Sequence, residues 1–159
     1  MAGTTQVYAI FWEPTGSTVS ANYNSLLARY FGDVGGSGLY HNNTQYTDSN
    51  GNYPSNAVLG GTWTDSSAYS VTKLADSDIQ NEVSKAMNAN SWTADNSHLF
   101  VVFTAKGEPV CTGSLCSDTT FCGYHNYFGT NTVYASVPYP SGNQRCQSGS
   151  SPNNDADAD

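Results

Sequence analysis

The sequence has few positive charges: five lysines and arginines stand against thirteen aspartates and glutamates in 159 residues, a formal net charge of −8. A surface with this balance repels phosphate backbones and anionic membrane surfaces, so we expect no nucleic-acid partner. The sequence also lacks an apolar run near the ~20 residues that a membrane-spanning helix needs, and we expect no membrane span. A hydrophobic fraction of 38% is enough for the core of one domain of this length.

Common catalytic motifs are absent as well. His41, His98 and His125 are the general-base candidates near neutral pH, but none belongs to a His-Glu-x-x-His pair. The run Gly35–Gly38 matches neither the Gly-x-Ser-x-Gly nucleophile elbow nor a phosphate loop with its lysine. We expect surface positions for His41 and His98 and a structural hydrogen-bonding role for His125. The motifs therefore identify no catalytic residue.

Two weaker patterns point to carbohydrate chemistry. Glu13 follows the first apolar run, where a carboxylate can line a cleft, and Glu108 or Asp33 would complete a glycosidase pair. A helix-capping or solvent-facing Glu13 is the simpler interpretation. The second pattern is the abundance of aromatic residues, which can stack on sugar rings. The tryptophans among them are Trp12, Trp63 and Trp92. Most aromatic residues fall at core spacing, which favours burial over sugar binding.

The cysteines indicate the compartment. There are four of them, Cys111, Cys116, Cys122 and Cys146. An even number without a paired Cys-x2-Cys zinc pattern predicts two disulfides and a secreted, extracellular protein. A metal site in Cys122–His125 is the alternative. Three pairings are open, and we favour Cys111 with Cys116, around Gly113, and Cys122 with Cys146, which would tie the last strand to the core.

The apolar runs predict strands at four places. Val7–Trp12 and Leu99–Thr104 are short β-branched and aromatic runs, typical of buried strands, and residues 58–63 favour a third strand within a polar, loop-rich stretch from Leu39 to Tyr69. Near the end of the chain, Val133, Ala135 and Val137 alternate with Tyr134 and Ser136. This period of two is typical of a half-buried strand.

Two helices are predicted between these strands. From Tyr23 to Val34 the apolar residues form one stripe at helical spacing, with Asn22 available to cap the start and Gly32–Gly38 to end the helix. A second helix is expected from Ser77 to Asn90, where Ser77 and Gln80 form a capping-box pair. Its buried face would consist of Ile79, Val83, Ala86 and Met87. The resulting fold class is α/β, with a mixed sheet of four to six strands and two helices.

We expect a single α/β domain over residues 1–145, followed by a polar, acidic segment over residues 146–159. In that segment Asp155, Asp157 and Asp159 alternate, so their carboxylates are candidates for a calcium site, although the pattern lacks the later glycine and glutamate of a calcium loop. A solvated or frayed tail is the alternative. Asn42, in Asn42-Asn43-Thr44, is the single N-glycosylation sequon.

Five segments of the sequence together resemble segments of one known protein family. These segments are Val19–Leu26, Arg29–Ser37, Thr44–Tyr46, Cys122–His125 and Ser151–Asp155. In this order they are similar to the phosphate-induced protein 1, or exordium-like, family, and closer to its bacterial members. The resemblance covers nearly the whole chain. Plant members of the family are apoplastic and linked to cell expansion. In bacterial relatives, a helix after the Pro-Asn-x-Asp motif commonly carries a His-Glu-His-x-x-Glu-like pattern, which suggests a zincin metallopeptidase.

The resemblance implies that this sequence stops just before that helix. It would then be the amino-terminal portion of a zincin-like fold, catalytically incomplete by itself, with zinc bound only when the following segment is present. Two further hypotheses remain: a non-enzymatic module that binds a cell-wall polymer or a protein partner, and an extracellular structural protein that self-associates through an uncovered sheet face.

Overall fold

The computed structural model describes residues 3–149 and 151–159, and its mixed α/β fold confirms the predicted fold class. The described strands are β1 (Gly3–Trp12), β2 (Pro54–Asp65), β3 (Leu74–Ala75), β4 (His98–Thr104), β5 (Val110–Thr112), β6 (Leu115–Cys116), β7 (Tyr124–Phe128) and β8 (Thr132–Val137). The α-helices are α1 (Tyr23–Asp33), α2 (Gly38–His41) and α3 (Asp76–Asn90). No helix within these ranges has the length and apolar character that crossing a membrane requires.

Five strands form the main sheet in the order β2-β1-β4-β8-β7. The first four are parallel, and β7 is antiparallel to β8 at one edge. The short strands β3, β5 and β6 form a separate three-stranded sheet. β1 and β4 are almost continuously buried because both sheet faces are covered at the centre, as their unbroken apolar runs predicted.

The sheet has a core on each face. On one face, α3 packs Ile79, Val83 and Ala86 against β1 and β4 residues such as Ile10 and Phe100. The other core lies under α1 and includes Val7, Ala9, Phe11, Tyr23, Val101 and Phe103. The two helices therefore cover opposite faces of the sheet. In α1 only Tyr23 is fully buried, and the rest of the apolar stripe is half-buried or exposed.

The starts of both long helices differ from the predictions. Asn22 precedes α1, but its side chain makes no capping hydrogen bond. The predicted Ser77–Gln80 capping box is wrong, because α3 begins at Asp76 and the Asp78 carboxylate accepts the Ala75 N–H at 2.8 Å. The shift arises because the short strand β3 leads directly into the helix. The buried face of α3 also includes Glu82, a residue that the apolar pattern did not identify.

The stretch expected to be mostly loop is more regular than predicted. β2 extends over twelve residues, twice the length of the predicted strand. Its whole length pairs with β1. The pairing register shifts twice, between Gly3 and Thr4 and between Val7 and Tyr8 of β1. Pairing with a buried neighbour, rather than local propensity, extends this strand.

The disulfides join Cys111 to Cys116 and Cys122 to Cys146. This is the connectivity that the sequence analysis favoured, and it leaves no thiol in Cys122–His125 for a metal. The first bond lies between the paired strands β5 and β6. The second ties the start of the β7 segment to a 3₁₀ turn at Gln144–Cys146. Two disulfides fit a secreted protein.

Candidate functional site

The carboxyl ends of the parallel strands are the first place to search for a site. The chain crosses from β1 to β2 through α1 on one face and from β2 to β4 through α3 on the other. The strand order thus reverses direction between β1 and β4. This reversal creates a crevice at the carboxyl ends of the two strands, where open α/β sheets usually bind ligands.

Tyr69 fills this crevice. Its hydroxyl donates to the carbonyl oxygen of Trp12, at the end of β1, at 2.7 Å and accepts the N–H of Ala105, just after β4, at 2.9 Å. The Tyr69 ring also packs edge-on against the Trp12 ring at 4.8 Å between centroids. Burial raises the pKa of Tyr69 above its ordinary value. A side chain of the chain itself therefore occupies the usual ligand position.

Three carboxyl groups influence this tyrosine. Glu108, Glu13 and Glu82 each raise the pKa of Tyr69 further, and each has a buried Oε1 without a hydrogen-bond donor among the described residues. Burial also raises the pKa of Glu108. Glu13 and Glu108 are both half-buried, whereas Asp33 is exposed on α1 and forms an ion pair with Arg29. The glycosidase pair stays a prediction, as does a solvent-facing Glu13.

A charged cluster lies next to Tyr69, at the end of β2. The Asp65 carboxylate accepts hydrogen bonds from the Ser67 hydroxyl at 2.6 Å, the Ser67 N–H at 3.0 Å and the Lys85 ammonium. Burial opposes ionisation of Asp65, but these hydrogen bonds outweigh it and lower the pKa to about 2. The Lys85 Nζ also lies 6.0 Å from the centroid of the Trp63 ring. Asp65 is therefore a carboxylate at any physiological pH.

Glu82 has the opposite ionisation behaviour. It is 2% exposed, and its carboxyl contacts the Asp65 carboxylate. Burial and the neighbouring Asp65 charge raise the pKa of Glu82 to about 8. The two acids thus hold one proton between them at neutral pH. A cavity of about 250 Å³ adjoins Glu82, and its lining also includes Trp12, Ser67, Asn81 and Lys85.

The histidines do not form a site together. His98 is buried, which corrects the predicted surface position: its ring contacts the Thr93 carbonyl through Nδ1 and the Asp95 carboxylate through Nε2 at 3.6 Å. It also packs edge-on against Tyr8, so its role is structural. His41 is exposed at the end of α2, and His125 is exposed on β7.

The acidic segment packs against α1 rather than fraying. Asp155 is buried and accepts the Ser20 hydroxyl at 2.6 Å, and Asp157 accepts the Gln147 amide at 2.8 Å. Asp159 accepts the Asn153 side-chain amide. The three carboxylates therefore bind separate protein donors, and residues 3–149 and 151–159 contain no group of three His, Cys, Asp or Glu placed to hold a metal. Calcium binding stays a prediction.

The tryptophans and the sequon have different environments. Trp12 is buried, and Trp92 packs on Tyr8 at 4.6 Å between ring centroids. Trp63 is partly buried beneath Lys85. None of these rings forms an exposed platform, as their core spacing suggested. Asn42 is exposed at the start of a 3₁₀ turn, Asn42–Gln45, so it is accessible for glycosylation.

A second region of interest is the part of the sheet that α1 does not cover. In β8, Thr132, Tyr134 and Ser136 are buried on the α3 side, whereas Val133 and its apolar neighbours on the α1 side are only half-buried. The residues of this open face are Leu99, Val133, Ala135, Val137, His125 and Tyr127, as the strand pairing places them on one side. At its edge lies a cavity of about 410 Å³, lined by His125, Tyr127 and Val133 among others.

Comparisons of the chain with protein-family models, with curated proteins and with solved structures found no match. The exordium-like resemblance therefore stays a hypothesis.

Proposed function

We propose that this chain is the framework of a secreted, exordium-like α/β domain, the amino-terminal portion of a zincin-like metallopeptidase fold that is catalytically incomplete by itself. A following segment of the same polypeptide would cover the open face and supply the metal ligands. The open face is the observation that carries this proposal.

The apolar pattern of β8 supports a missing cover. Three of its apolar side chains, Val133, Ala135 and Val137, project to the side where they are half-exposed. In a finished α/β domain, both faces of a parallel sheet are covered. Helix α1 packs mainly over β2 and β1. An amphipathic helix laid across β4 and β8 would complete this core.

The position of the acidic segment supports a cover that follows in sequence. Ala158 packs against the α1-side core, against which Val137 also packs. Asp155 accepts a hydrogen bond from Ser20, and Asn153 accepts one from Arg29 at 3.0 Å. These contacts place the acidic segment beside α1 and the core beneath it. In this proposal, the following segment runs from this core to β8.

The described residues do not fit a catalytic zinc ion on their own. A catalytic zinc site needs three protein ligands, usually histidines and carboxylates, around an open position. The three histidines lie in separate elements, and His98 is already bonded to Thr93 and Asp95. We therefore assign no step of zinc-dependent hydrolysis to the described residues.

The test is the intact mass and zinc content of the natural secreted product, followed by peptidase assays on that product and on these 159 residues. We expect a larger mass, about one zinc per molecule and peptide hydrolysis by the larger product alone. A natural product with the mass of these 159 residues and no metal would overturn the proposal. Val133→Glu in the larger product should reduce folding yield and zinc content, with exposed Asp33→Asn as the matched control.

Self-association is a second candidate, because the same open face and the unpaired edge of β7 would suit a second copy of the chain. Mass photometry of the 159-residue chain separates the two. A concentration-dependent dimer that Val133→Glu dissociates favours self-association, and a strict monomer eliminates it.

The third candidate, a carbohydrate-binding module, would have to use exposed tyrosines, of which Tyr46 and Tyr127 are the most accessible at 73% and 66% exposure. Glycan-array binding that Tyr46→Ala or Tyr127→Ala abolishes would favour it. A blank array would count against it.

A further inference from the structure

Glu82 is an acidic residue in an apolar position. It lies on the face of α3 that also buries Ile79, Val83 and Ala86, and only 2% of it is exposed. Its Oε1 has no hydrogen-bond donor among the described residues. A buried, ionised carboxylate without donors is unfavourable, so this geometry favours a proton on Glu82.

The neighbours of Glu82 supply an acceptor for that proton. Asp65, at the end of β2, contacts the Glu82 carboxyl and is itself held ionised by Ser67 and Lys85. Lys85 comes from the same helix as Glu82, one turn further on, and Glu82 raises the pKa of Tyr69, which lies in the loop after β2. Three other acids lie around this site: Asp78 lines the shared cavity, and Glu13 and Glu108 approach Tyr69. Lys85 is thus the one cation facing the pair among the described residues.

Asp65 and Lys85 also anchor the loop at residues 66–73. Ser67 donates to Asp65 through both its hydroxyl and its N–H, and its hydroxyl accepts from Lys85 at 2.7 Å. The Trp12 indole N–H donates to the Ser67 carbonyl at 3.0 Å. Two residues further on, Tyr69 fills the crevice between β1 and β4. Asp65, Lys85 and Trp12 therefore hold the loop at Ser67, two residues before the tyrosine that fills the crevice.

We propose that Asp65 and Glu82 form a proton-operated latch, which holds the loop at residues 66–73 closed over the crevice in acidic medium and loosens it as the pH rises. The inference is independent of the proposed function, because it uses none of the residues on the open face.

The direction of this pH dependence follows from the ionisation of Glu82 and Asp65. The pKa of Glu82 is raised from 4.5 to about 8 in the folded protein. The proton therefore stabilises the fold fully below pH 4.5, and this stabilisation is lost as the pH rises through about 8. The lowered pKa of Asp65 has the opposite sign: its stabilisation is present above pH 3.8 and lost as the pH falls towards 2. The latch is therefore tightest near pH 4 to 4.5.

The experiment compares the full 159-residue chain with Glu82→Gln, which keeps the shape and a hydrogen-bond donor but cannot ionise. We expect the wild-type Tm to fall by roughly 5 °C between pH 5 and pH 8.5, and that of Glu82→Gln by less than about half as much. Amide exchange of residues 66–70, corrected for its intrinsic pH dependence, should rise over the same range in the wild type alone. Asp33→Asn, an exposed carboxylate on α1, should keep the wild-type pH dependence.

A direct titration keeps the proposal testable if Glu82→Gln folds poorly. The side-chain carboxyl carbon of Glu82, followed by NMR in the wild-type chain, should titrate well above pH 6. Lys85→Met should raise the Glu82 midpoint further, because it removes the neighbouring positive charge. A Glu82 midpoint below pH 5, or equal pH dependence of Tm in the wild type and Glu82→Gln, would overturn the latch.

Discussion

The two faces of the main sheet differ in how completely they are closed. On the α3 face, Phe100 and Tyr134 are fully buried, and the Tyr134 hydroxyl donates to Asp76 of α3 at 2.5 Å. On the α1 face, the neighbouring residues Leu99 and Val133 are only half-buried. Residues adjacent in sequence and in the same strands thus have different environments.

The difference shows which of the two cores the described residues complete by themselves. The α3 face combines apolar packing with a polar network, in which Tyr124 also donates to Asp76 at 2.7 Å. The open face has apolar side chains that the described helices leave only partly covered. Because uncovered apolar surface marks an interaction site, the open face is where a further segment or another chain is expected to bind.

The largest effect on the free energy of unfolding is expected from a substitution of Phe100. Phe100→Ala should lower the free energy of unfolding by about 3–5 kcal/mol, because it leaves a cavity in a fully packed core. Leu99→Ala, one residue earlier on the open face, should lower it by about 1 kcal/mol, less than for a buried leucine. Guanidinium denaturation measures both. Similar losses for the two variants would mean that the open face is already covered in solution.

A smaller effect is expected from the polar network. Tyr134→Phe removes one donor to Asp76, and we expect a loss of about 1–2 kcal/mol, since Tyr124 and Gln80 still donate to that carboxylate. Burial and the Asp76 hydrogen bond raise the pKa of Tyr134 to about 12, so the hydroxyl remains a donor at neutral pH. Tyr127→Phe, exposed on the open face, is the matched control and should leave urea denaturation unchanged.

The smallest effect is expected at Val133. In the 159-residue chain, Val133→Thr should change the free energy of unfolding by about 0.5 kcal/mol or less, because the side chain is half-exposed. In a longer natural product the same change should cost about 1 kcal/mol or more, since the valine would then be buried. Chemical denaturation of both forms tests this, and an equal, small effect in both would argue against a cover on this face.

Much of the fold was predictable from local pattern. The buried strands and the two long helices follow from apolar runs and helical spacing, and the favoured cysteine pairing agrees with the structure. The length of β2 and the start of α3 were not predictable, because pairing with β1 and the position of β3 set them. The pattern of β8 indicated a half-buried strand, but not that Tyr134 and Ser136 form its buried side.

The candidate sites were harder to predict. Glu13 was identified by its position after an apolar run, with Glu108 or Asp33 as its partner, and Glu13 and Glu108 both raise the pKa of Tyr69. The Asp65–Glu82 pair was missed, because the two residues are seventeen positions apart and Glu82 looks like an ordinary exposed position of an amphipathic helix. A helical wheel places it near Ile79 and Val83, and this was the one signal that could have identified it.

By itself, the sequence determined the fold class, the main secondary structure and the disulfide chemistry, because these depend on side-chain periodicity and on cysteine number. Only the tertiary structure decided which face of the sheet is closed, which acids meet and which of them keeps a proton. These properties depend on distances between residues far apart in the chain. Burial and neighbouring charge act through those distances, and no local pattern records them.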